Sequence, residues 1–210
     1  MLRCKKEAGN LKIGVLALQG SVREHILALK KCNVEAIPIK LPSDLENING
    51  LIIPGGESTT MGKLMREYKL DKAIKKRHKE GMPIYGTCAG AILLAKNIVD
   101  SKQPKLGLMD ISIKRNDYGR QVDSFETDID VFDKPFKGVF IRAPIVDNCY
   151  DGCKIMAKLG DRPILLRQKN LLISTFHPEL TDDLRLHKYF LDMVEESRNS
   201  IFSGFQEQNN

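Results

Sequence analysis

Three short stretches of this chain hold residue types that together could cut an amide bond. The first is Pro83-Ile-Tyr-Gly86-Thr87-Cys88-Ala89-Gly90, where a β-run delivers a Gly-x-Cys-x-Gly element straight into a helix-forming segment. Glycines on either side let the backbone turn sharply with a strained residue at its tip, and the positive end of the following helix would favour the thiolate of Cys88. A thiolate so exposed is a nucleophile. Taken alone, the pattern also describes a buried cysteine between two turn glycines, because short motifs recur by chance.

A candidate base follows much later, where Leu171-Leu-Ile-Ser-Thr-Phe176 leads into His177-Pro178-Glu179. In extended backbone residues i and i+2 project to the same side, so Glu179 could fix the tautomer of His177 and stabilise the imidazolium formed when it takes a proton from Cys88. Pro178 stiffens that spacing. The third stretch, Leu51-Ile-Ile-Pro54-Gly55-Gly56-Glu57-Ser58-Thr59-Thr60, is a strand ending in a Gly-Gly turn before a helix. An amide of Gly55 or Gly56, with that of Ala89, could cradle the oxyanion of a tetrahedral intermediate. Ser58 or Thr59 would cap the helix beyond.

Something must hold these stretches together, and the first half of the chain alternates strand-like and helix-like segments. Lys12–Leu18, Val34–Ile39, Gly50–Ile53 and Pro83–Tyr85 are short β-rich runs, while Val22–Lys31, Met61–Glu80 and Ala91–Lys96 carry helical spacing or composition. Alternation of this kind predicts an α/β fold, a mostly parallel central sheet covered by helices on both faces. The second half reads as strands with little helix between them, at Leu106–Lys114, Phe125–Val131, Gly138–Ile141, Lys154–Lys158, Pro163–Arg167 and Leu171–Thr175. That predicts an antiparallel extension, closed by an amphipathic helix over Leu184–Ser197 and a polar, frayed tail from Ser203 to Asn210. No repeat, low-complexity tract or linker divides the 210 residues, so one domain is expected over 1–210.

Composition excludes several classes of function. No apolar run approaches the roughly 20 residues of a membrane helix, and Met1–Asn10 has no apolar block of a secretory signal. The net charge of +6 comes from scattered basic residues, and its densest cluster, Lys72–Lys79, falls within one helical segment, so solvated surface accounts for it and nucleic acid is not expected as a partner. Five cysteines (Cys4, Cys32, Cys88, Cys149, Cys153) are an odd number, which argues against a disulfide framework and for a reducing, cytoplasmic setting. His25 and Cys149-x-x-x-Cys153 lack the spacing of a zinc-ligand set and are read as structural or surface residues.

Taken together, Gly86-Thr-Cys88-Ala-Gly90, His177-Pro-Glu179 and Pro54-Gly-Gly-Glu57-Ser-Thr-Thr60 resemble the class I glutamine amidotransferase family. Leu16-Ala-Leu-Gln19-Gly20 with Glu24-His25, the block Arg115-Asn-Asp-Tyr-Gly119-Arg-Gln-Val-Asp123-Ser-Phe125-Glu126, and Gly138-Val-Phe-Ile141-Arg142-Ala-Pro144 are similar to the glutaminase subunits of pyridoxal 5'-phosphate synthases within it. The similarity runs from Leu11 to Glu196. It implies a flavodoxin-like three-layer sandwich that hydrolyses L-glutamine to L-glutamate and ammonia, with Cys88 as nucleophile, His177 as general base and Glu179 as its orienting carboxylate. Gly56, Glu57, Ser58, Arg115, Ile141 and Arg142 map onto glutamine-binding positions. Their chemistry suits a zwitterion, which needs an acceptor near its ammonium and cationic donors near its carboxylate. The resemblance further implies a hetero-oligomer with a β/α-barrel synthase subunit that consumes the ammonia, and no metal or cofactor in this chain. Met1–Asn10 and Asp147–Lys154 depart from the pattern.

Two other readings stay open. A γ-glutamyl hydrolase could use the same fold and elbow, and the Arg115–Glu126 block is the feature that argues against it. A binding subunit without catalysis is the other, and intact Cys88, His177 and Glu179 argue against that.

Overall fold

The short apolar runs of the first half all become strands of one sheet in the computed structural model, which describes residues 11–115, 124–150 and 152–207. In chain order β1 (Lys12–Leu16), α1 (Val22–Lys31), β2 (Glu35–Ile39), β3 (Gly50–Ile53), α2 (Ser58–Glu67), α3 (Leu70–Lys79), β4 (Ile84–Thr87) and α4 (Ala89–Leu94) come first. β5 (Ala95–Ile98), β6 (Met109–Lys114), β7 (Ser124–Asp130), β8 (Pro135–Ile141), β9 (Ile145–Cys149), β10 (Lys154–Leu159), β11 (Arg162–Gln168), β12 (Leu171–Ser174) and α5 (Arg185–Glu207) follow.

The main sheet has the order β10-β11-β12-β4-β3-β1-β2. The pairs from β2 through β12 are parallel, and β11 and β10 add to β12 as antiparallel strands. This is a flavodoxin-like α/β arrangement with the antiparallel extension that the second half predicted, and its strand order reverses between β1 and β3. Two smaller sheets, β5-β6-β9 and the β7-β8 hairpin, lie outside it.

Side-chain alternation divides the core between the two faces. Ile13, Val15, Ile52, Tyr85 and Leu172 join α1 and α5 in one cluster, while Leu16, Leu51, Ile53, Ile84 and Ile173 join α2, α3 and α4 in the other. A one-residue slip would exchange these sets between clusters of different shape, so the register of the strand ends, and with it the site, is fixed by packing.

Several elements differ from the sequence expectation. Met61–Glu80 is two helices, because Lys69 takes a left-handed conformation (φ 59°) between α2 and α3. The helix expected at Ala91–Lys96 starts at Ala89 and stops at Leu94, after which Ala95–Ile98 pairs with β6 as a strand. β9 was not expected, and it pairs with β6 where the chain enters the stretch from Asp147 that departs from the family pattern. The last helix continues to Glu207, so the backbone from Ser203 to Glu207 is helical where fraying was expected. Cys4, the rest of residues 1–10, residues 116–123 of the Arg115–Glu126 block, and residues 208–210 lie outside the described residues. Among the described residues no helix is long and apolar enough to cross a membrane.

Candidate active site

Cys88 stands between β4 and α4 with φ 48° and ψ −102°, a combination that costs a non-glycine residue about 1–3 kcal/mol. Packing around it enforces the turn. A Cβ on Gly86 would sit 2.6 Å from the carbonyl carbon of Gly90, and one on Gly90 would strike the carbonyl oxygen of Ile53 at the end of β3, so both glycines of the motif are required by close approach. The Cys88 amide donates to the Ser174 carbonyl of β12 at 2.8 Å, which ties the elbow to the neighbouring strand. Its Sγ lies 3.7 Å from the carbonyl oxygen of Ile141.

His177 reaches Cys88 from the same neighbouring strand. Tyr85 and Ser174 hydroxyls meet at 3.0 Å and Ser174 donates to the Phe176 carbonyl at 3.0 Å, while the His177 amide donates to Val139 of β8 at 2.8 Å. The imidazole packs flat on Gly55, where any Cβ would collide with its Cε1. Its Nδ1 is 2.8 Å from Glu179 Oε1. A carboxylate can only accept, so Nδ1 carries a proton, and the buried Nε2 is left without a hydrogen-bond partner. Burial pushes the basicity of His177 down, but the Cys88 sulfur and the Glu179 carboxylate on either side raise it above the ordinary histidine value on balance. Glu179 is itself almost fully buried, which would raise its pKa, yet His25, His177 and Ser21 hold it below the usual carboxylate range.

The pairing of His177 with Glu179 holds, but strand alternation is not its cause. β12 ends at Ser174, and Pro178–Leu180 form a 3-10 turn. The fixed φ of Pro178 starts that turn and curls the Glu179 carboxylate back onto the ring.

A cleft of about 390 Å³ opens at the carboxyl ends of β1, β3 and β4, where the strand order reverses and ligands of such sheets bind. Cys88, Ala89 and His177 line it, as do Gly55, Gly56, Glu57 and Ser58, and Arg115, Ile141 and Arg142 complete its wall. Every residue singled out from the sequence therefore borders this cleft except Glu179, which stands behind His177. A larger neighbouring cleft of about 660 Å³ touches Glu179 but contains no thiol and no free imidazole nitrogen. Arg142, like Cys88, has a positive φ, 42°, on the rim.

Glu57 does more than the sequence suggested. It is the N-cap of α2 in place of Ser58 or Thr59, because its carboxylate reaches round to accept from the amides of Thr59 (3.1 Å) and Thr60 (2.7 Å). Burial works against its ionised form, but those amides hold it at about 2. Arg115 Nη2 is 3.2 Å from Glu57 Oε1. Its Nη1 donates to Gln103 Oε1 at 2.8 Å and to Thr59 Oγ1 at 3.0 Å. Gln103 thus braces Arg115, and Gln19, whose Oε1 accepts from the Glu57 amide at 2.7 Å, braces the turn.

Behind Glu179, of the two readings of His25 as structural or surface, burial selects the first: His25 is fully buried and sits 3.4 Å from Glu179 Oε2, while Ser21 Oγ donates to Oε1 at 2.5 Å. Cys149 and Cys153 are half-buried free thiols, and among the described residues no three His, Cys, Asp or Glu side chains converge as a metal site requires.

The arrangement has counterparts. The subunit PdxT of pyridoxal 5'-phosphate synthase from Thermus thermophilus is 53% identical over 185 residues, covering 87% of this chain and 97% of that protein. The protein of the same name from Thermotoga maritima is 51% identical over 187 residues, 88% of this chain and 100% of its own length. A crystal structure of a glutamine amidotransferase superposes with a TM-score of 0.85 at 51% identity, covering 87% of this chain and 98% of that one. The SNO glutamine amidotransferase family matches residues 15–196, and the chain belongs to that family.

Proposed function

We propose that this chain is the glutaminase subunit of a pyridoxal 5'-phosphate synthase, a single amidotransferase domain that hydrolyses L-glutamine through Cys88, His177 and Glu179. The observation that carries this reading is the placing of His177: its Nδ1 is held 2.8 Å from Glu179, and its ring lines the same cleft as the strained Cys88. The names of the relatives that cover nearly their whole length with this chain support the choice of synthase.

In the reaction so assigned, Cys88 Sγ attacks the side-chain amide carbon of glutamine and its proton passes to His177 Nε2. The oxyanion is met by the Ala89 amide and by an amide of Gly55 or Gly56. His177 then gives its proton to the amide nitrogen, the C–N bond breaks and ammonia leaves a γ-glutamyl thioester on Cys88. Water, deprotonated by His177, attacks the thioester, which releases glutamate and restores the thiol. Glu57 offers the acceptor that the substrate ammonium needs, and Arg115 and Arg142 offer donors to its carboxylate. Gly56, Ser58 and Ile141 shape the rest of the glutamine site. The partner is a barrel-shaped synthase subunit that receives the ammonia, and the free thiols of Cys32, Cys149 and Cys153 suit work in the reducing cytoplasm.

The test pairs the chain with a barrel synthase subunit. Wild type should release glutamate, and Cys88→Ala should release none while still binding the partner and allowing synthesis from added ammonium salt. Glutamate release by the Cys88→Ala complex would remove Cys88 from the mechanism.

A further inference from the structure

The mechanism above uses only one oxygen of Glu179. The other, Oε2, is buried without a hydrogen-bond partner, and the imidazole of His25 on α1 stands beside it, with Nε2 at 3.4 Å. That same Nε2 is 3.1 Å from Thr87 Oγ1, one residue before the nucleophile. On its other side His25 Nδ1 is 3.1 Å from Nε2 of His187 on α5, and both imidazoles have no exposed surface. A continuous polar path thus runs from α5 through α1 to Glu179 and His177, across an otherwise apolar layer.

Hydrogen-bond accounting fixes the direction of this path. Suppose His25 Nε2 carries the proton. It then donates to Thr87 Oγ1 at 3.1 Å with the Glu179 carboxylate alongside at 3.4 Å, His25 Nδ1 accepts from His187 Nε2–H, and a lone pair on the buried His187 Nδ1 is left without a partner. Suppose instead that Nδ1 of His25 carries it. The lone pair of Nε2 can then accept from Thr87 Oγ1–H but also stands 3.4 Å from a carboxylate oxygen, and His187 is left with a buried N–H that nothing accepts, a costlier set than one unpaired lone pair. Protonating both rings would place two cations side by side out of water, and burial holds each below the ordinary histidine value. His25 therefore meets Glu179 as a neutral donor, in the tautomer that His187 selects.

We propose that His25 is a positioning residue of the glutaminase reaction: its Nε2–H steadies the second oxygen of Glu179 so that the first stays in line with His177 Nδ1. Ser21 Oγ serves the same carboxylate from the loop before α1, so two groups of one segment grip Glu179 while His177 is the group it orients. The inference rests on the catalytic assignment made above. Groups that stand behind a working imidazole in this manner, as carboxylates and carbonyls do behind metal-bound histidines, are worth about 10- to 100-fold in activity.

The experiment compares His25→Gln with His25→Asn in the complex with the synthase subunit. Both variants are polar and similar in bulk, but only the longer glutamine side chain brings an N–H to the place of the ring Nε2. We expect His25→Asn to lose about 10- to 100-fold in kcat with the KM for glutamine little changed, because His25 does not touch substrate. His25→Gln should recover most of that loss at similar melting temperature. In a Glu179→Gln background the His25→Asn loss should largely disappear, since a residue acting through Glu179 has nothing left to hold. Equal activity of the Asn and Gln variants, or an undiminished loss in the Glu179→Gln background, would overturn the proposal. Failure of the wild-type complex to hydrolyse glutamine would instead overturn the catalytic assignment, and this inference with it.

Discussion

The parallel strands and the strands added beside them bring different kinds of residue to the same cleft. β3, β4 and β12 lead to Gly55, Cys88 and His177, which are buried, tied by backbone hydrogen bonds to Ser21, Ser174 and Val139 and held by glycines that tolerate no Cβ. Arg115 follows β6 and Ile141 ends β8, both in the small outer sheets, and Ile141 is 39% exposed. On the proposed reading the rim of the parallel sheet supplies the reacting groups and, with Glu57 and Ser58, one end of the substrate's seat, while the additions supply Arg115, Ile141 and Arg142 for the rest. Since bond-making would then depend on Cys88, His177 and Glu179 and recognition on Glu57, Arg115 and Arg142, damage to each set should show in a different kinetic constant.

The sharpest way to break this division is at Glu179. Glu179→Gln keeps the shape but gives His177 Nδ1 an amide in place of a carboxylate, so kcat should fall roughly 10²- to 10⁴-fold with little change in KM, as for the orienting acid of other triads. Steady-state glutamate release by the complex measures both constants, and an unchanged kcat would take Glu179 out of the reaction. A smaller effect is expected at Arg115. Arg115→Ala removes a charged donor worth about 1.5–3 kcal/mol and should raise KM for glutamine about 10- to 100-fold while kcat changes less. A fall in kcat at constant KM would place Arg115 with the catalytic set and dissolve the distinction.

The smallest effect concerns stability behind the parallel rim. Burial lowers the pKa of His25 and, together with the neighbouring His25, takes that of His187 down to about 3, whereas both titrate near 6.5 when unfolded. Below pH 6.5 the unfolded chain therefore binds more protons than the folded one, and stability falls as pH drops, by about 1.4 kcal/mol per unit for each histidine still neutral in the fold. His177, raised in the fold, works in the opposite direction while the unfolded histidine is still partly neutral, and His78, lowered by its partial burial, adds a further loss of the first kind. Urea unfolding between pH 6.5 and pH 5 should show a net loss, and His187→Gln should make the profile shallower. A flat profile would mean that the two rings are not neutral inside.

Legibility in the sequence follows the same division. Cys88, His177, Glu179 and the Gly55-Gly56 turn were readable because each rests on neighbours in sequence: flanking glycines, a two-residue spacing, a strand running into a turn. The geometry behind the spacing was not readable, since whether His177 and Glu179 meet by pleat or by turn depends on where β12 stops. His25 and His187 lie 162 residues apart and touch only because α1 and α5 cover the same sheet face, a contact that no local pattern encodes. Gln103 reaches Arg115 and Thr59 for a similar reason. β5, with Lys96 and Asn97 at its centre, has no apolar alternation and becomes a strand because β6 offers its edge. The break at Lys69 has neither Gly nor Pro to announce it.

Among the described thiols, Cys88 alone lines the cleft proposed for glutamine, together with a histidine that could serve it as base. The direct measurement is to treat the complex with a diazoketone analogue of glutamine and map the adduct by peptide mass spectrometry while following glutamate release. We expect one adduct, on Cys88, appearing in step with the loss of activity and prevented by excess glutamine. Activity lost with the label on Cys32, Cys149 or Cys153 and none on Cys88 would contradict the assignment.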